Sequence, residues 1–261
     1  MFRRILLTTL LATSCTLMIG AVAVHAADDV KKAKTKPVAM SPGEEQVRKG
    51  LEAMTSPGAV ESVRKSGYGN FYEVMLNNGE LIYADETGSF FFTGSLIDMK
   101  NKTNVTELRE AELSSINFSD LPLSQAIKQV RGNGKRTLVT FEDPNCVYCK
   151  KLAKDLQTIK DTTIYTFLIP ILSADSGDKA RDVWCSADKA KTWNEWMNDG
   201  KVPPTANCVN PIASNAELSK KIRIKGTPTL FLADGSRLGG YVSPAELDKA
   251  MNDASEKLAK K

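Results

Sequence analysis

Histidine is nearly absent from this chain of 261 residues, which contains only His25. That residue lies in an N-terminal segment with two early arginines, a mostly apolar run from Ile5 to Val24, and small residues that suit cleavage after Ala26. This pattern is typical of a secretory signal peptide, so we expect the protein to be exported. The mature chain would contain no histidine, which excludes Cys-His proteases, Ser-His-Asp hydrolases and histidine-ligated metal sites.

The sequence also lacks a strong excess of charge of one sign. Loss of Arg3 and Arg4 with the signal peptide would leave 33 of the 35 basic residues against 31 acidic ones, a net charge near +2. This balance gives no reason to expect a nucleic acid as partner. Threonines and serines divide the apolar N-terminal run, so we expect no membrane insertion after processing.

The length of the chain after cleavage favours two domains. Residues 27–261, about 235 residues, exceed the usual single-domain size of about 100–150. Residues 27–43 are polar and lysine-rich, which predicts a flexible leader. The expected organisation is a signal peptide at 1–26, this leader at 27–43, an N-terminal domain at 44–103, linker helices at 104–134 and a second domain at 135–261.

The N-terminal domain is predicted to contain a helix and a small antiparallel sheet. Helical spacing marks Glu44 to Met54, and Ser56-Pro57-Gly58 is expected to end that helix and begin another short one. Asn77-Asn78-Gly79 predicts a hairpin turn between strands. The predicted strands cover 71–76, 80–84, 89–93 and 95–99. Such a sheet has a thin core and open edges, which favours pairing with a second copy of the chain.

One cluster of aromatic residues lies in a predicted strand of this domain. Alternation in Phe90-Phe91-Phe92 places Phe91 on the face opposite its two neighbours. We therefore expect one of the two faces to lie in the core.

Residues after 104 predict helices and then an α/β pattern. Asn104 to Asn117 is expected to contain a connecting helix, and Pro122 to Val130 a further helix that stops at a Gly-Asn-Gly turn. From Lys135 the pattern is strand, helix, strand, a long helical insertion, two strands and a closing helix, typical of an α/β sandwich. Trp193 and Trp196 are expected to pack the insertion onto this domain.

The main chemical motif is Cys146-Val147-Tyr148-Cys149, which follows a strand pattern and precedes a helical one. In this position Cys146 caps a helix N-terminus, whose free N–H groups and dipole favour an anion, so we expect Cys146 to ionise more readily than a free thiol. The alternatives are half of a zinc site or an inert disulfide. A zinc site would need two further ligands, and the only other cysteines of the mature chain lie far downstream.

Four charged residues flank this motif. Lys150 and Lys151 could favour a thiolate, and Glu142 and Asp143 could oppose it. The simpler expectation is that all four are solvated charges.

Residues 141–152, which contain the motif, together with Gly226-Thr227-Pro228-Thr229 and the cysteines at 185 and 208, resemble the bacterial periplasmic disulfide isomerases of the DsbC and DsbG type. The predicted strands between Tyr68 and Met99 resemble the dimerisation domain of that family. The resemblance implies an α/β fold class, α+β overall: a thioredoxin-like catalytic domain with a helical insertion, joined by a linker helix to a small antiparallel-sheet dimerisation domain.

The resemblance also implies roles for individual residues. Cys146 would be the exposed attacking thiol and Cys149 the resolving thiol. The substrate-binding positions would be Val147, Tyr148, Thr227 and Pro228, with Pro228 in the cis form.

Two further implications concern the remaining cysteines and the redox properties of the motif. Cys185 and Cys208 would form the family's structural disulfide, with a second reactive thiol pair as the alternative. Val147-Tyr148 differs from the Gly-Tyr of DsbC and the Pro-Tyr of DsbG. Thioredoxin buries a carboxylate six positions before its first cysteine, whereas this chain has Thr140 there.

The function implied is a homodimeric thiol-disulfide isomerase and reductase in the periplasm, with no cofactor and no metal. Its partners would be misfolded secreted proteins with non-native disulfides and a DsbD-like membrane reductant. Two alternatives stay open, a DsbG-like reductase of sulfenylated cysteines and a non-catalytic periplasmic holdase chaperone. A DsbA-like oxidase is a weaker one, because those enzymes usually carry a histidine between the cysteines.

Overall fold

A computed structural model describes residues 40–260 of the chain. The predicted signal peptide and residues 27–39 of the predicted leader lie outside these residues. Helix α1 (Pro42–Met54) begins before the expected boundary at 44, because Ser41 and Glu44 form a capping box and Pro42 occupies the first turn. The described chain therefore begins with a well-capped helix rather than with the end of the leader.

The helix packs on a four-stranded antiparallel sheet with the order β1-β2-β3-β4. Its strands are β1 (Val60–Lys65), β2 (Tyr72–Leu76), β3 (Leu81–Ala84) and β4 (Phe91–Phe92). The predicted hairpin turn at 77–79 joins β2 to β3. The second short helix expected after Gly58 is wrong, since β1 occupies that segment. Val60 and Val63 point from β1 into the core beside Val47 and Leu51 of α1.

The expectation that one face of Phe90-Phe91-Phe92 lies in the core is wrong. All three side chains are exposed, and none belongs to the apolar core under α1. Phe92 instead stacks on Tyr83, with ring centroids 5.3 Å apart, and meets Phe71 edge to face at 5.4 Å. The physical reason is that β4 is a two-residue edge strand, and within residues 40–260 no further strand lies beside it to cover these rings.

The segment after β4 forms a separate two-stranded ribbon rather than a further strand of the sheet. It pairs β5 (Ile97–Asp98) with β6 (Thr103–Asn104). Asn104 then caps helix α2 (Val105–Ser114), which confirms the predicted connecting helix. Thr106 of α2 makes a buried hydrogen bond of 2.6 Å with the hydroxyl of Tyr83, which fastens the helix to the sheet.

A buried carboxylate makes the strongest polar contact between α2 and the sheet. Glu73 of β2 accepts hydrogen bonds of 2.7 Å from both Arg64 Nε and Arg109 Nε. Burial alone would raise the pKa of Glu73, but the hydrogen bonds and charges of the two arginines bring it below its ordinary value. Glu73 is therefore ionised and paired on both sides at neutral pH.

The rest of the chain forms a five-stranded sheet with the order β11-β10-β8-β9-β7. Its strands are β7 (Ile127–Arg131), β8 (Arg136–Glu142), β9 (Thr162–Leu168), β10 (Thr229–Leu232) and β11 (Arg237–Gly239). Only β8 and β9 are parallel. The helix predicted over Pro122 to Val130 is wrong, because Leu123–Gln125 forms only a single 3-10 turn and the segment from Ile127 onward is β7. The expected domain boundary at 135 would therefore separate one strand from its sheet.

The helices cover both faces of this sheet. They are α3 (Val147–Asp155), α4 (Ser176–Cys185), α5 (Lys189–Asp199), α6 (Ile212–Lys221) and α7 (Pro244–Ala259). On β8, Leu138 contacts the apolar cluster of α3 and α7, whereas Val139 and Phe141 lie in the cluster on the opposite face. Even-numbered residues of β8 thus face α3. Among residues 40–260, no helix combines the length and apolar character needed to cross a bilayer.

The helical insertion consists of α4, α5 and the segment that leads to α6. Trp193 and Trp196 are buried in one apolar cluster with Cys149 and Leu168, so they pack the insertion onto the domain as predicted. Cys185, at the end of α4, is joined to Cys208 by a disulfide. The insertion is therefore held by apolar packing and by one covalent cross-link.

We predict that Glu73→Gln lowers the free energy of unfolding by about 3 kcal/mol, because the partly buried Arg109 guanidinium would lose its buried partner and keep only the exposed Glu112. Urea denaturation measures this effect. Glu112→Gln is the matched control, since Glu112 pairs with the same arginine but its side chain is 69% exposed, against 7% for Glu73. The control should cost less than about 1 kcal/mol. Equal losses in the two variants would contradict this explanation.

Candidate active site

The cysteine motif lies where β8 ends and α3 begins. Cys146 is the N-cap residue of α3, and its Sγ accepts a hydrogen bond of 3.3 Å from the backbone N–H of Cys149. The first turn of a helix offers several N–H groups without partners and the positive end of the dipole. The Cys146 sulfur therefore receives a backbone N–H at the positive end of the helix.

Asp143 fixes the loop between the strand and the motif. Its buried carboxylate accepts hydrogen bonds from the backbone N–H groups of Asn145 (2.7 Å), Ile171 (2.7 Å) and Leu172 (3.0 Å), and from Ser176 Oγ (2.8 Å). Its backbone carbonyl also accepts the N–H of Cys146 at 3.1 Å. The prediction that Asp143 is a solvated charge is wrong, because the loop after β9 closes over it and supplies donors.

The Thr227-Pro228 peptide bond is cis and faces Cys146. Residue Thr229 pairs with Phe141 across β10 and β8, which brings the two loops together at one end of the sheet. The Cys146 thiol donates to the Thr227 carbonyl at 3.2 Å. The sequence motifs at 146–149 and 226–229 therefore meet in space.

The expectation of an exposed Cys146 is wrong, since the residue is only 4% exposed. The Thr227 loop covers it on one side, and the tryptophan cluster of the insertion packs on the other. The two residues between the cysteines differ sharply from it, because Val147 is 77% and Tyr148 63% exposed. The surface next to the Cys146 sulfur is thus apolar and open.

The two lysines after the motif lie on aromatic rings. Lys150 Nζ is 4.1 Å from the ring centroid of Trp196, and Lys151 Nζ is 4.1 Å from that of Tyr241. The Trp196 indole N–H donates to the Pro144 carbonyl at 2.6 Å. The two lysines are therefore held by cation–π contacts, whereas the sequence predicted only solvated charges. Trp196 also connects the insertion to the loop that precedes Cys146.

Glu142 is buried directly before this loop, which contradicts its prediction as a solvated charge. Its Oε1 accepts a hydrogen bond of 2.7 Å from Thr140 Oγ1, and its Oε2 has no hydrogen-bond partner. Burial raises the pKa of Glu142 to about 7, although the bond from Thr140 opposes the shift. The alternation of β8 could have revealed this residue, because Glu142 shares the α3-facing side with Thr140.

Cys149 lies in the protein interior beside this carboxylate. Burial, followed by the charge of Glu142 and the contact with Cys146, raises the pKa of the Cys149 thiol well above its ordinary value. The two cysteines of the motif therefore occupy different environments. Cys146 lies at the rim of the site under a helix N-terminus, and Cys149 is an interior thiol that resists ionisation.

Comparison with protein families assigns both parts of the chain. Residues 123–255 match the thioredoxin-like domain family, and residues 26–107 match the N-terminal domain of disulfide bond isomerase proteins. The fold class expected from the sequence is thereby confirmed.

Individual relatives agree with this assignment. A probable thiol:disulfide interchange protein DsbC from Bordetella avium is 46% identical over 206 residues, which cover 79% of this chain and 74% of the relative. The Escherichia coli K12 protein DsbC is 25% identical over 69% of this chain and 77% of its own length. The crystal structure of a disulfide interchange protein from Neisseria gonorrhoeae superimposes with a TM-score of 0.50 at 38% identity, over 51% of this chain and 98% of that one.

The chain belongs to the DsbC family of thiol:disulfide interchange proteins. It is an enzyme of the oxidoreductase and isomerase class with a thioredoxin-like catalytic domain.

We predict that Glu142→Gln changes stability in a pH-dependent way. Glu142 binds its proton more tightly in the folded protein, so its contribution is complete below its unfolded pKa of 4.5 and is lost as the pH rises through about 7. Glutamine carries no charge, so the variant should be more stable than the wild type by about 3 kcal/mol at pH 8 and by less than about 1 kcal/mol at pH 5. Urea denaturation at both pH values measures the difference. The same difference at pH 5 and pH 8 would contradict a buried, ionising carboxylate.

Proposed function

We propose that this protein is an exported thiol-disulfide isomerase and reductase that repairs non-native disulfides in misfolded secreted proteins of the periplasm. The observation that carries the proposal is the position of Cys146 Sγ at the N-terminus of α3, where it accepts the backbone N–H of Cys149. A helix N-terminus attracts an anion, and the thiolate is the nucleophile in disulfide exchange.

The reaction begins when the Cys146 thiolate attacks one sulfur of a client disulfide. A mixed disulfide forms, and the other client sulfur leaves as a thiolate that can attack elsewhere in the client. If this rearrangement stalls, Cys149 attacks Cys146 and releases the client in reduced form. The enzyme is then left with a disulfide between its two catalytic cysteines.

The proposed client site combines the exposed pair Val147 and Tyr148 with the loop of Thr227 and Pro228. A groove of about 660 Å³ extends from this loop towards α2, and its lining includes Glu107, Leu113, Arg223, Thr227 and Pro228. An extended client segment in this groove could pair with the backbone beside Thr227, as in β-augmentation. The exposed apolar side chains of Val147 and Tyr148 would contact unfolded chain segments.

A second copy of the chain is the proposed partner of the N-terminal sheet. Phe71, Phe90, Phe91 and Phe92 form an exposed apolar patch at the β4 edge, which no other strand of the described part of the chain pairs with. Pairing of two such edges would satisfy the backbone groups and cover the rings. The match to the N-terminal domain of disulfide bond isomerase proteins supports this assignment.

An isomerase of this kind must be returned to the reduced state after each release by Cys149. A DsbD-like membrane reductant is the proposed electron donor. Ile171 and Leu172 are exposed near the active-site loop and, with Val147 and Tyr148, would form its docking surface. The exchange reactions need only cysteine thiols, so the proposal includes no cofactor.

We predict that Cys146→Ser abolishes the ability of the protein to reactivate scrambled ribonuclease, since serine offers no thiolate. Recovery of ribonuclease activity over time is the measurement. Cys149→Ser is the matched control, because it keeps the attacking sulfur and should accumulate mixed disulfides that are visible on a non-reducing gel.

The alternatives give different outcomes in the same experiment. A sulfenic-acid reductase would fail to reactivate ribonuclease but would rapidly reduce a sulfenylated protein through Cys146. A holdase chaperone would suppress aggregation equally well with and without Cys146. Reactivation by the Cys146→Ser variant at the wild-type rate would contradict the proposed mechanism.

A further inference from the structure

The fold places a buried carboxylate on the same side of the sheet as the resolving thiol. Leu138 of β8 contacts Leu152 and Leu156 of α3, so even-numbered residues of β8, Glu142 among them, face α3. Leu168 pairs with Glu142 on the neighbouring strand β9 and belongs to the same apolar cluster as Cys149. Glu142 therefore lies beneath the first turn of α3, next to the interior cysteine.

The carboxylate has an unused acceptor atom in this position. Oε1 is bound by the Thr140 hydroxyl, and Oε2 is buried without a hydrogen-bond partner. Burying a polar atom in this way costs free energy, so it calls for an explanation other than stability. The charge of Glu142 acts on Cys149 strongly enough to rank directly after burial among the causes that raise the pKa of that thiol.

Resolution of a mixed disulfide needs a base at this point. Cys149 must lose its proton before it can attack Cys146, and its burial opposes a free thiolate. A base inside the site can take the proton as the new bond forms, either directly or through one water molecule. Among residues 40–260, Glu142 is the carboxylate whose charge acts on Cys149.

We infer that Glu142 is the proton acceptor for Cys149 in the step that releases a bound client. The step balances as follows: the Cys149 proton moves to the Glu142 carboxylate, and the Cys149 sulfur forms a bond with Cys146 Sγ. The bond from Cys146 to the client sulfur breaks, and its electron pair leaves on the client thiolate. The enzyme is oxidised by two electrons, the client is reduced, and Glu142 later returns its proton to solvent.

This inference rests on the proposed function and adds a residue that sets how fast a bound client is released. Rearrangement of the client and its release compete for the same mixed disulfide. A base that speeds attack by Cys149 shortens the time in which the client can rearrange. Glu142 would thereby shift the balance from isomerisation towards reduction.

The ionisation of Glu142 should control the pH dependence of release. Its polar surroundings include Thr140 on its own strand, which donates to it, Thr166 on β9, which is hydrogen-bonded to Thr140, and Cys149 on α3. Within the described residues no ion pair includes Glu142, and only burial and the Thr140 hydroxyl shift its pKa, which is about 7. The release rate should therefore rise with pH up to about 7 and level off above it.

The test follows the reaction of the reduced full-length protein with 5,5′-dithiobis(2-nitrobenzoate) by stopped-flow absorbance. Attack by Cys146 releases one thionitrobenzoate in a phase whose rate depends on reagent concentration. Attack by Cys149 on the mixed disulfide then releases a second thionitrobenzoate, in a phase whose rate does not depend on reagent concentration. We expect Glu142→Gln to slow the second phase by about 100-fold at pH 7.5 and to leave the first within about twofold, as loss of a general base predicts.

Further variants separate a proton acceptor from a structural residue. Cys149→Ser should remove the second phase entirely, which would show that this phase is the attack of Cys149 on the mixed disulfide. Glu142→Asp keeps a carboxylate and should retain more of the rate than Glu142→Gln. In Glu142→Gln the second phase should keep rising about tenfold per pH unit above pH 7, where the wild type levels off, because hydroxide then replaces the internal base.

Two results would overturn the inference. One is a second phase in Glu142→Gln that stays within about threefold of the wild type across pH 6–9. The other, which needs no variant to fold, is a wild-type second phase that rises without levelling off near pH 7. Absence of the first phase would instead count against Cys146 as nucleophile and hence against the proposed function, so the two failures are distinguishable.

Discussion

The difference in environment between two cysteines three residues apart is the constraint on which the rest of the site depends. Cys146 is the N-cap of α3, so its sulfur receives a helix N–H, whereas Cys149 is one turn further on and faces the interior. A single strand-to-helix junction thus produces one sulfur suited to attack and one that stays protonated until needed. Asp143, which ties the preceding loop to the loop after β9, keeps this junction in place.

The five-stranded sheet, the helical insertion and the N-terminal sheet contribute differently to the site. The five-stranded sheet brings Thr227 and Pro228 to Cys146, and the helical insertion, closed by the disulfide from Cys185 to Cys208, packs its tryptophans against the motif. The N-terminal sheet has an exposed aromatic edge far from any catalytic group in sequence, which suits assembly rather than chemistry.

Much of this organisation could be predicted from the sequence, because its signals are local. The helical spacing of α1, the Asn-Gly hairpin and the strand-to-helix position of the cysteine motif depend on neighbouring residues and were identified correctly, although the start of α1 was not. The segment from Pro122 to Val130 was not, since its strand forms only by pairing with β9, which is distant in sequence.

The errors at the site have a similar origin in tertiary structure. Glu142 and Asp143 look like surface charges in the sequence, and only the loop after β9 and the packing of α3 bury them. Cys146 is covered by a loop more than 80 positions away, at Thr227. Burial of a polar residue by distant segments leaves little local signal, although the alternation of β8 could have shown that Glu142 shares a face with Thr140 and Leu138.

The central claim is that the two cysteines of the motif are inequivalent, with Cys146 as the reactive sulfur and Cys149 as the protected one. Brief alkylation of the reduced, folded protein with iodoacetamide at pH 7, followed by peptide mass spectrometry, tests it most directly. The account predicts modification at Cys146 with Cys149 almost unmodified, and modification of both after unfolding in urea. Equal modification of the two cysteines in the folded protein, or preferential modification of Cys149, would contradict it.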